Sequence, residues 1–589
     1  MTTDQIMLFT LFGVVFGMLL WGRYRYDLVA FSALMIAVVL GLVPTYDAFS
    51  GFGHPATIIV ALVLVVSAGL VRSGAVFLIT RTMINPDRAM PVHITMMGVI
   101  GGVLSAFMNN VAALALLMPV DIQTARKAKR IVGLTLMPLS FATILGGMVT
   151  LIGTPPNIII ASIRETQLGE PFSMFDFAPV GGAAALAGLV FVALVGWRLI
   201  PHRDDQKDSD FSDISTYLAE LTVPKGNKVI GETVGSLHEI AEKNDVAILG
   251  MVRDGKRVRG TAKYRVLQPD DALVMEATPE ALDEFRTALN LDFINADRAQ
   301  MMNAEGTTMV ECVVTDTSRL NGRTAQSIGL SWRRRTVLMG ISREGTRITK
   351  QVRKTILKPG DILLLLTPQD TSGDVVEWLG CLPLADRGLQ VTVDDKMWIA
   401  IGLFGAAVAA ASFGLIYLPV ALGLVVVAYV LSGIVPLHAL YDQIEWPVVV
   451  LLGSMIPLGA ALETSGGTEL LANGLLTLTE GMPAWVILTV LMVVTMTLSD
   501  VLNNTATAIV AAPIGITMAQ TLGVSPDPFL MAVAIAASAA FLTPIGHKNN
   551  TLILGPGGYK FGDYWRMGLP LEVIVISVSI PMILIVWPL

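Results

Sequence analysis

Two pairs of polar, helix-breaking motifs interrupt an otherwise apolar chain, and they recur at matching places in its two halves. The first half reads Asn-Asn-Val-Ala-Ala-Leu-Ala-Leu-Leu-Met-Pro-Val over residues 109–120, then Leu-Ile-Gly-Thr-Pro-Pro-Asn over 151–157. The second reads Asn-Asn-Thr-Ala-Thr-Ala-Ile-Val-Ala-Ala-Pro-Ile over 503–514, then Pro-Ile-Gly-His-Lys-Asn-Asn over 544–550. Unwound backbone survives at membrane depth only where it is buried in protein or lines a polar cavity. Paired breaks in two hydrophobic repeats therefore point to a transport site at the bilayer midplane.

Composition supports a membrane setting. Of 589 residues, 53% are hydrophobic and 15% charged, against about 25% charged in soluble domains. Charge is unevenly placed: residues 202–393 hold 25 of the 40 Lys and Arg. That stretch reads as a soluble insert between membrane halves 1–201 and 394–589. Both cysteines, Cys312 and Cys381, lie in it, which leaves neither a disulfide framework nor a Cys-based metal motif. Residues 1–21 lack a basic leader and a small-residue cleavage site, and a second apolar span follows directly. They read as the first membrane helix.

Apolar spans fall at 5–22, 26–43, 56–72 and 178–200, with a hairpin at 91–120 and a broken helix at 131–165. The second half repeats them at 396–416, 418–435, 447–463 and 568–588, with a hairpin at 484–520 and a broken helix at 528–556. Landmarks keep a nearly constant offset of 387–394 residues: Val43-Pro44 with Val435-Pro436, Ser73-Gly74 with Ser465-Gly466, Asp176 and Gly181 with Asp563 and Gly568. With hairpins that enter and leave on one side, each half crosses five times, so the second half is inverted. The expected fold is an α-helical polytopic membrane protein of two inverted repeats, each with a re-entrant hairpin and a broken helix, plus a cytoplasmic α/β insert. Loop charge sets the orientation. Arg23, Arg25, Arg72, Arg81, Arg88, Arg126, Lys127, Lys129 and Arg130 fall on one side of the first half, and only Arg164 on the other. Both termini are expected outside the cell (inner) membrane and the insert inside.

The insert is itself duplicated. Gly-Glu-Thr from 231, Arg-Asp-Gly at 253–255 and Pro-Asp-Asp at 269–271 match Gly-Arg-Thr from 322, Arg-Glu-Gly at 343–345 and Pro-Gly-Asp at 359–361. Period-2 apolar runs read as strands and the Arg-(Asp/Glu)-Gly triplets as hairpin turns. The copies, about 215–290 and 307–372, resemble TrkA-C (RCK-C) ligand-sensing domains of potassium transport regulators. The resemblance implies a regulatory or dimerising module with a small-molecule or nucleotide ligand. Arg333-Arg334-Arg335 is a candidate phosphate contact beside the blander reading of a solvated face.

Amide and carbonyl oxygens at a hairpin tip can coordinate a hard cation, and helix N-termini can face an anion. The candidate substrate residues are Asn109, Asn110, Val111, Thr154, Pro155, Asn157, Asn503, Asn504, Thr505, Gly546, His547, Lys548, Asn549 and Asn550. Sodium is expected near Asn109, Asn110, Gly153, Asn157, Asn503, Asn504, Thr505, Gly546 and Asn550. Asp121 and Asp500 flank the tips as candidate proton or cation groups. Both membrane halves resemble the divalent anion/sodium symporter family, which carries a Ser-Asn-Thr triplet at each tip and a Thr-Pro-Pro-Asn-like break. The triplets here read Asn109-Asn110-Val111 and Asn503-Asn504-Thr505, and the second break departs as Gly546-His547-Lys548-Asn549-Asn550. The stretch 544–559 and the inserted modules look most like the sulfate-permease-like branch. The resemblance implies sodium-coupled import of a small divalent anion by an elevator-type homodimer, with no cofactor beyond sodium as coupling ion and no nucleic acid. A sodium/proton antiporter, a metalloid-anion exporter and a transporter-like sensor are the alternatives. No nucleophile elbow, His-Glu-x-x-His, P-loop or Cys/His cluster marks an enzyme.

Overall fold

The computed structural model describes residues 1–21, 24–74, 88–128, 130–201, 217–243, 246–253, 256–257, 265–277, 279–293, 307–316, 318–330, 334, 336–343, 346–348, 352, 355–368, 372–384, 396–437 and 440–589. The chain divides into two units. One comprises 1–202, 390–553 and 559–589; the other comprises 203–389 with 554–558.

The first unit is helical. Its first part contains α1 (Thr3–Trp21), α2 (Tyr26–Val39), α3 (Pro55–Arg72), α4 (Met90–Phe107), α5 (Asn110–Lys127), α6 (Gly133–Gly147), α7 (Pro155–Leu168) and α8 (Ala178–Leu194). Its second part contains α9 (Met397–Ser412), α10 (Leu418–Leu431), α11 (Trp446–Thr464), α12 (Gly467–Leu478), α13 (Ala484–Ser499), α14 (Asn504–Leu522), α15 (Asp527–Ser538), α16 (Lys548–Leu554) and α17 (Tyr564–Val586). Among the described residues, five helices are long and apolar enough to cross a membrane: Pro55–Arg72, Met90–Phe107, Trp446–Thr464, Asn504–Leu522 and Phe561–Val586. At 1.5 Å per residue, 18 residues reach about 27 Å, close to the hydrocarbon thickness.

Both broken helices differ in detail from the sequence expectation. The first is unwound over 148–154, and Pro155, Pro156 and Asn157 already open α7. The second is unwound over 539–547, and Lys548, Asn549 and Asn550 already belong to α16. Prolines fit the first helical turn because the N–H they lack has no intrahelical partner there. Amphipathic α12 has no counterpart in the sequence reading. It starts where Gly466 turns left-handed at φ 76°, and the matching stretch 75–87 lies outside the described residues. Arg23, Arg81 and Lys129, used to orient the chain, also lie outside them.

Glycines let backbone meet backbone at several seams. A Cβ at Gly146 in α6 would overlap the Gly102 backbone in α4. One at Gly181 in α8 would overlap the Met148 carbonyl of the first break, and one at Gly568 in α17 the Phe541 carbonyl of the second. Small residues let helices approach this closely in membranes. Here they dock one helix against each break.

The second unit holds two five-stranded sheets of identical strand order. Strands β1 (Tyr217–Thr222), β2 (Ala247–Arg253), β3 (Lys256–Arg257), β4 (Ala272–Ala277) and β5 (Asp292–Phe293) run β3-β2-β4-β1-β5. Strands β6 (Thr307–Val314), β7 (Val337–Arg343), β8 (Thr346–Ile348), β9 (Ile362–Pro368) and β10 (Cys381–Pro383) run β8-β7-β9-β6-β10. Every described strand pairing is antiparallel. The expected α/β class is therefore corrected to α+β, since an α/β sheet is built on parallel strands and no described pairing is parallel. Arg253 grips Asp271 through two bonds of 2.7 Å, and Arg343 grips Asp361 in the same way. Both arginines also donate to a backbone carbonyl, Val266 and Ile356 respectively. Residues 254–255 and 344–345 of the expected turns lie outside the described residues, as do Arg333 and Arg335. Arg334 stacks on the Trp378 ring at 4.8 Å.

Cys312 and Cys381 are free and buried. The neighbouring Cys381 thiol and burial push the Cys312 thiol well above its ordinary range. The thiolate is the reactive form. Cys312 of the native protein is expected to react with iodoacetamide at neutral pH at least about 10 times more slowly than a free thiol. Mass spectrometry before and after denaturation reads the difference.

Candidate functional site

Both hairpin tips are built alike. Asn109 precedes α5 and its Oδ1 accepts the Val111 N–H at 2.8 Å. Asn503 precedes α14 and accepts the Thr505 N–H at 3.0 Å. These are N-caps, which satisfy one of the orphan N–H groups of a first turn. The next asparagine in each tip is held by a serine five residues upstream. Ser105 Oγ donates to Asn110 Oδ1 at 2.5 Å, and Ser499 Oγ to Asn504 Oδ1 at 3.0 Å.

The last asparagine of each half's pattern, Asn157 or Asn550, closes the break. Asn157 Nδ2 donates to Thr150 O at 2.9 Å and lies 3.5 Å from Met148 O. Asn550 Nδ2 donates to Ala540 O and Thr543 O, both at 3.1 Å. Each asparagine thus satisfies carbonyls that unwinding leaves without a helical partner. Asn550 Oδ1 accepts from Ser140 at 3.0 Å. Asn157 Oδ1 is buried and has no hydrogen-bond partner among the described residues. Asn550→Leu leaves both carbonyls unpaired at about 1–3 kcal/mol each. A drop of several degrees in the melting temperature of the purified protein is the expected result.

The first tip meets the second break directly. Asn110 Nδ2 lies 3.3 Å from His547 Nε2, and Asn549 Nδ2 donates to Asn110 O at 3.2 Å and Thr143 Oγ1 at 2.8 Å. Gly147, at the end of α6, abuts the Asn110 amide, and a Cβ there would collide with it. Asn110 thus meets the end of α6 on one side and the second break and α16 on the other. Asn549 Oδ1 is a second buried acceptor without a partner among the described residues.

Other sequence candidates stand apart. Lys548 Nζ donates to Glu445 Oε2 at 2.6 Å and lies 5.7 Å from the centre of the Tyr26 ring, so its charge is met by a carboxylate. Thr154 is buried at the start of α7 but makes no capping bond, and two prolines remove N–H donors from that turn. Gly153 packs on the Gly147 backbone and Gly546 on the Asp500 backbone. Asp121 accepts from Thr135 at 2.6 Å and meets His93 Nε2 at 2.7 Å, deep between α4, α5 and α6. Sequence reasoning missed Ser105, Ser499, Ser140 and Thr143. For the first two a signal was available: they sit 394 residues apart, the same offset as Asn109 and Asn503.

Asparagine-capped helix starts, amides that bridge the first tip and the second break, and two buried amide oxygens without a partner among the described residues set polar groups inside an apolar helical unit. The citrate transporter family profile matches residues 16–526 and 481–589. The chain belongs to the citrate transporter family. This member is 32% identical to an uncharacterized transporter of Synechocystis over 561 residues, covering 93% of this chain and 92% of the relative. An uncharacterized transporter of Escherichia coli is 28% identical over the full length of both chains. Sodium/sulfate cotransporter 2 of Chlamydomonas reinhardtii is 26% identical over 351 residues, 55% of this chain and 39% of the relative. This citrate transporter family member is a multi-pass membrane transporter, in line with the resemblance to divalent anion/sodium symporters.

Proposed function

We propose that this transporter imports a small divalent anion by sodium symport. Sulfate, a related sulfur oxyanion or organosulfonate, and a dicarboxylate are the candidate substrates. The observation that carries the reading is the Asn110 junction, where an asparagine-capped tip meets Gly147 at the end of α6, His547 of the second break and Asn549 at the start of α16. The oxygens there suit sodium and the amide and imidazole N–H groups suit an oxyanion.

Charge accounting favours more than one cation. Bringing a dianion into an inside-negative cell costs about 4.6 kcal/mol per 100 mV. Two sodium ions cancel that electrical cost and a third makes uptake potential-driven. Two similarly built tips supply two places for sodium. The two halves act as inverted repeats, with both termini outside, the insert cytoplasmic and the hairpin-bearing parts moving elevator-fashion within a homodimer. The paired sheets of the insert act as TrkA-C-like regulatory modules that answer a small-molecule or nucleotide ligand.

Uptake of labelled sulfate into proteoliposomes tests this, with and without an inward sodium gradient and with sulfonates and dicarboxylates as competitors. The expected result is sodium-driven uptake with at least two sodium ions per sulfate. Sulfate flux indifferent to sodium, or a ratio of one, would count against it.

A further inference from the structure

The helices that follow the two breaks, α7 and α16, both meet α11, one at each of its ends. Glu445 precedes the first turn of α11 and accepts at 2.6 Å from Nζ of Lys548, the first residue of α16. The ring of Tyr26, which opens α2, lies 5.7 Å from the same ammonium. Glu463 stands in the last turn of α11, and its Oε1 accepts from Gln167 Nε2 of α7 at 2.7 Å. The two acids are 18 positions apart, about 27 Å along a helix. One helix thus reaches both post-break helices through a carboxylate at each end.

These contacts differ in kind from those that join break to tip. Asn549 with Thr143, Asn550 with Ser140 and Asn110 with His547 are buried pairs, and parting them strands polar groups away from water. The Lys548 and Glu445 side chains keep 27% and 24% of their surface exposed, and the Gln167–Glu463 pair is exposed. Water can replace either partner, so such pairs open at little cost. Where α11 meets α14 the contact is apolar, Gly459 against the Ile509 side chain, with no directional bond to break. The repeat itself does not need the acids. α3 corresponds to α11 through His54-Pro55 and Trp446-Pro447, and it has Gly53 and Val71 where α11 has Glu445 and Glu463. Pro155 stands at the place of Lys548, counted from Gly153 and Gly546.

We propose that the seam which opens during transport runs between α11 and the two post-break helices, with Glu445–Lys548 and Glu463–Gln167 as the latches that close it. Tips and breaks then travel as one body, because the bonds between them are the buried ones. Lys548 and Gln167 ride with that body, and the acids stay on α11. The inference rests on the transport reading and deepens it: alternating access needs a boundary that slides, and the hydrogen bonds mark where sliding costs least. Glu445 and Glu463 are positioning residues, placed against the moving helices and not against the anion.

Cross-linking of the full chain in proteoliposomes tests the proposal. E445C/K548C is bridged with a short bifunctional methanethiosulfonate, mass spectrometry verifies the bridge, and labelled sulfate uptake is read before and after reductant. Bridging is expected to lower uptake at least about 10-fold because a conformational step is blocked, and reductant is expected to restore it. E445C alone, treated alike, should keep its uptake. Should K548C cost uptake by itself, Q167C/E463C carries the same test at the other end of α11. Bridged protein that transports as fast as its reductant-treated form would overturn the proposal. Failure of the symport reading shows separately, as wild-type sulfate flux indifferent to sodium, and a bridge across a sliding seam would stop that flux as well.

Discussion

Asn110→Ala is expected to lower sodium-driven sulfate uptake at least about 100-fold at equal amounts of reconstituted protein. The substitution removes the amide that Ser105 and His547 both meet, and opens space beside Gly147. Leaving two buried polar groups unpaired costs about 1–3 kcal/mol each, and about 1.4 kcal/mol is a factor of ten. Asn109→Ala supplies the contrast. Its Oδ1 caps α5 through Val111 N–H alone, a loss of about 1 kcal/mol, so uptake should fall far less. Initial rates in proteoliposomes decide between the two. Equal damage from both substitutions would remove Asn110 from the centre of the site.

Gly146→Leu is expected to prevent folding altogether. Its Cβ would overlap the Gly102 backbone, and a main chain cannot turn aside as a side chain can. Overpacking of this kind costs about 1–3 kcal/mol even where neighbours yield, and here they do not. Yield of monodisperse protein in detergent is the readout. Gly13→Leu and Gly17→Leu in α1 serve as controls, because nothing lies within 4 Å of a Cβ at either position. They are expected to express as wild type.

Much of the helical layout was legible because its signals are local. An asparagine before an apolar run is a helix start, and α5 and α14 begin one residue after Asn109 and Asn503. Glycine and proline mark the two breaks, but Pro155 and Pro156, which read as part of the unwound stretch, open α7. That error is one of capping chemistry: proline reads as a breaker whether it ends a helix or begins one. The duplicated insert could be read as strands, yet its class could not, because alternation alone does not tell antiparallel from parallel neighbours. What sequence could not reveal is tertiary. Ser140 reaches Asn550 across 410 positions, and Glu572 of α17 comes beside Asp500 at the end of α13. Lys548 illustrates the opposite case. A basic residue in an apolar segment invites a ligand-binding reading, and the carboxylate that meets it, Glu445, is 103 residues away.

The glycine seams carry a consequence for selectivity. Where main chain touches main chain, no rotamer can change to absorb a displacement, so Met148 and Phe541 are held as stiffly as the helices that abut them. The walls around the two breaks are in this respect closer to a mineral lattice than to a side-chain pocket. On the proposed reading, an ion held between such walls would be sorted by its radius and by the work of stripping its hydration water.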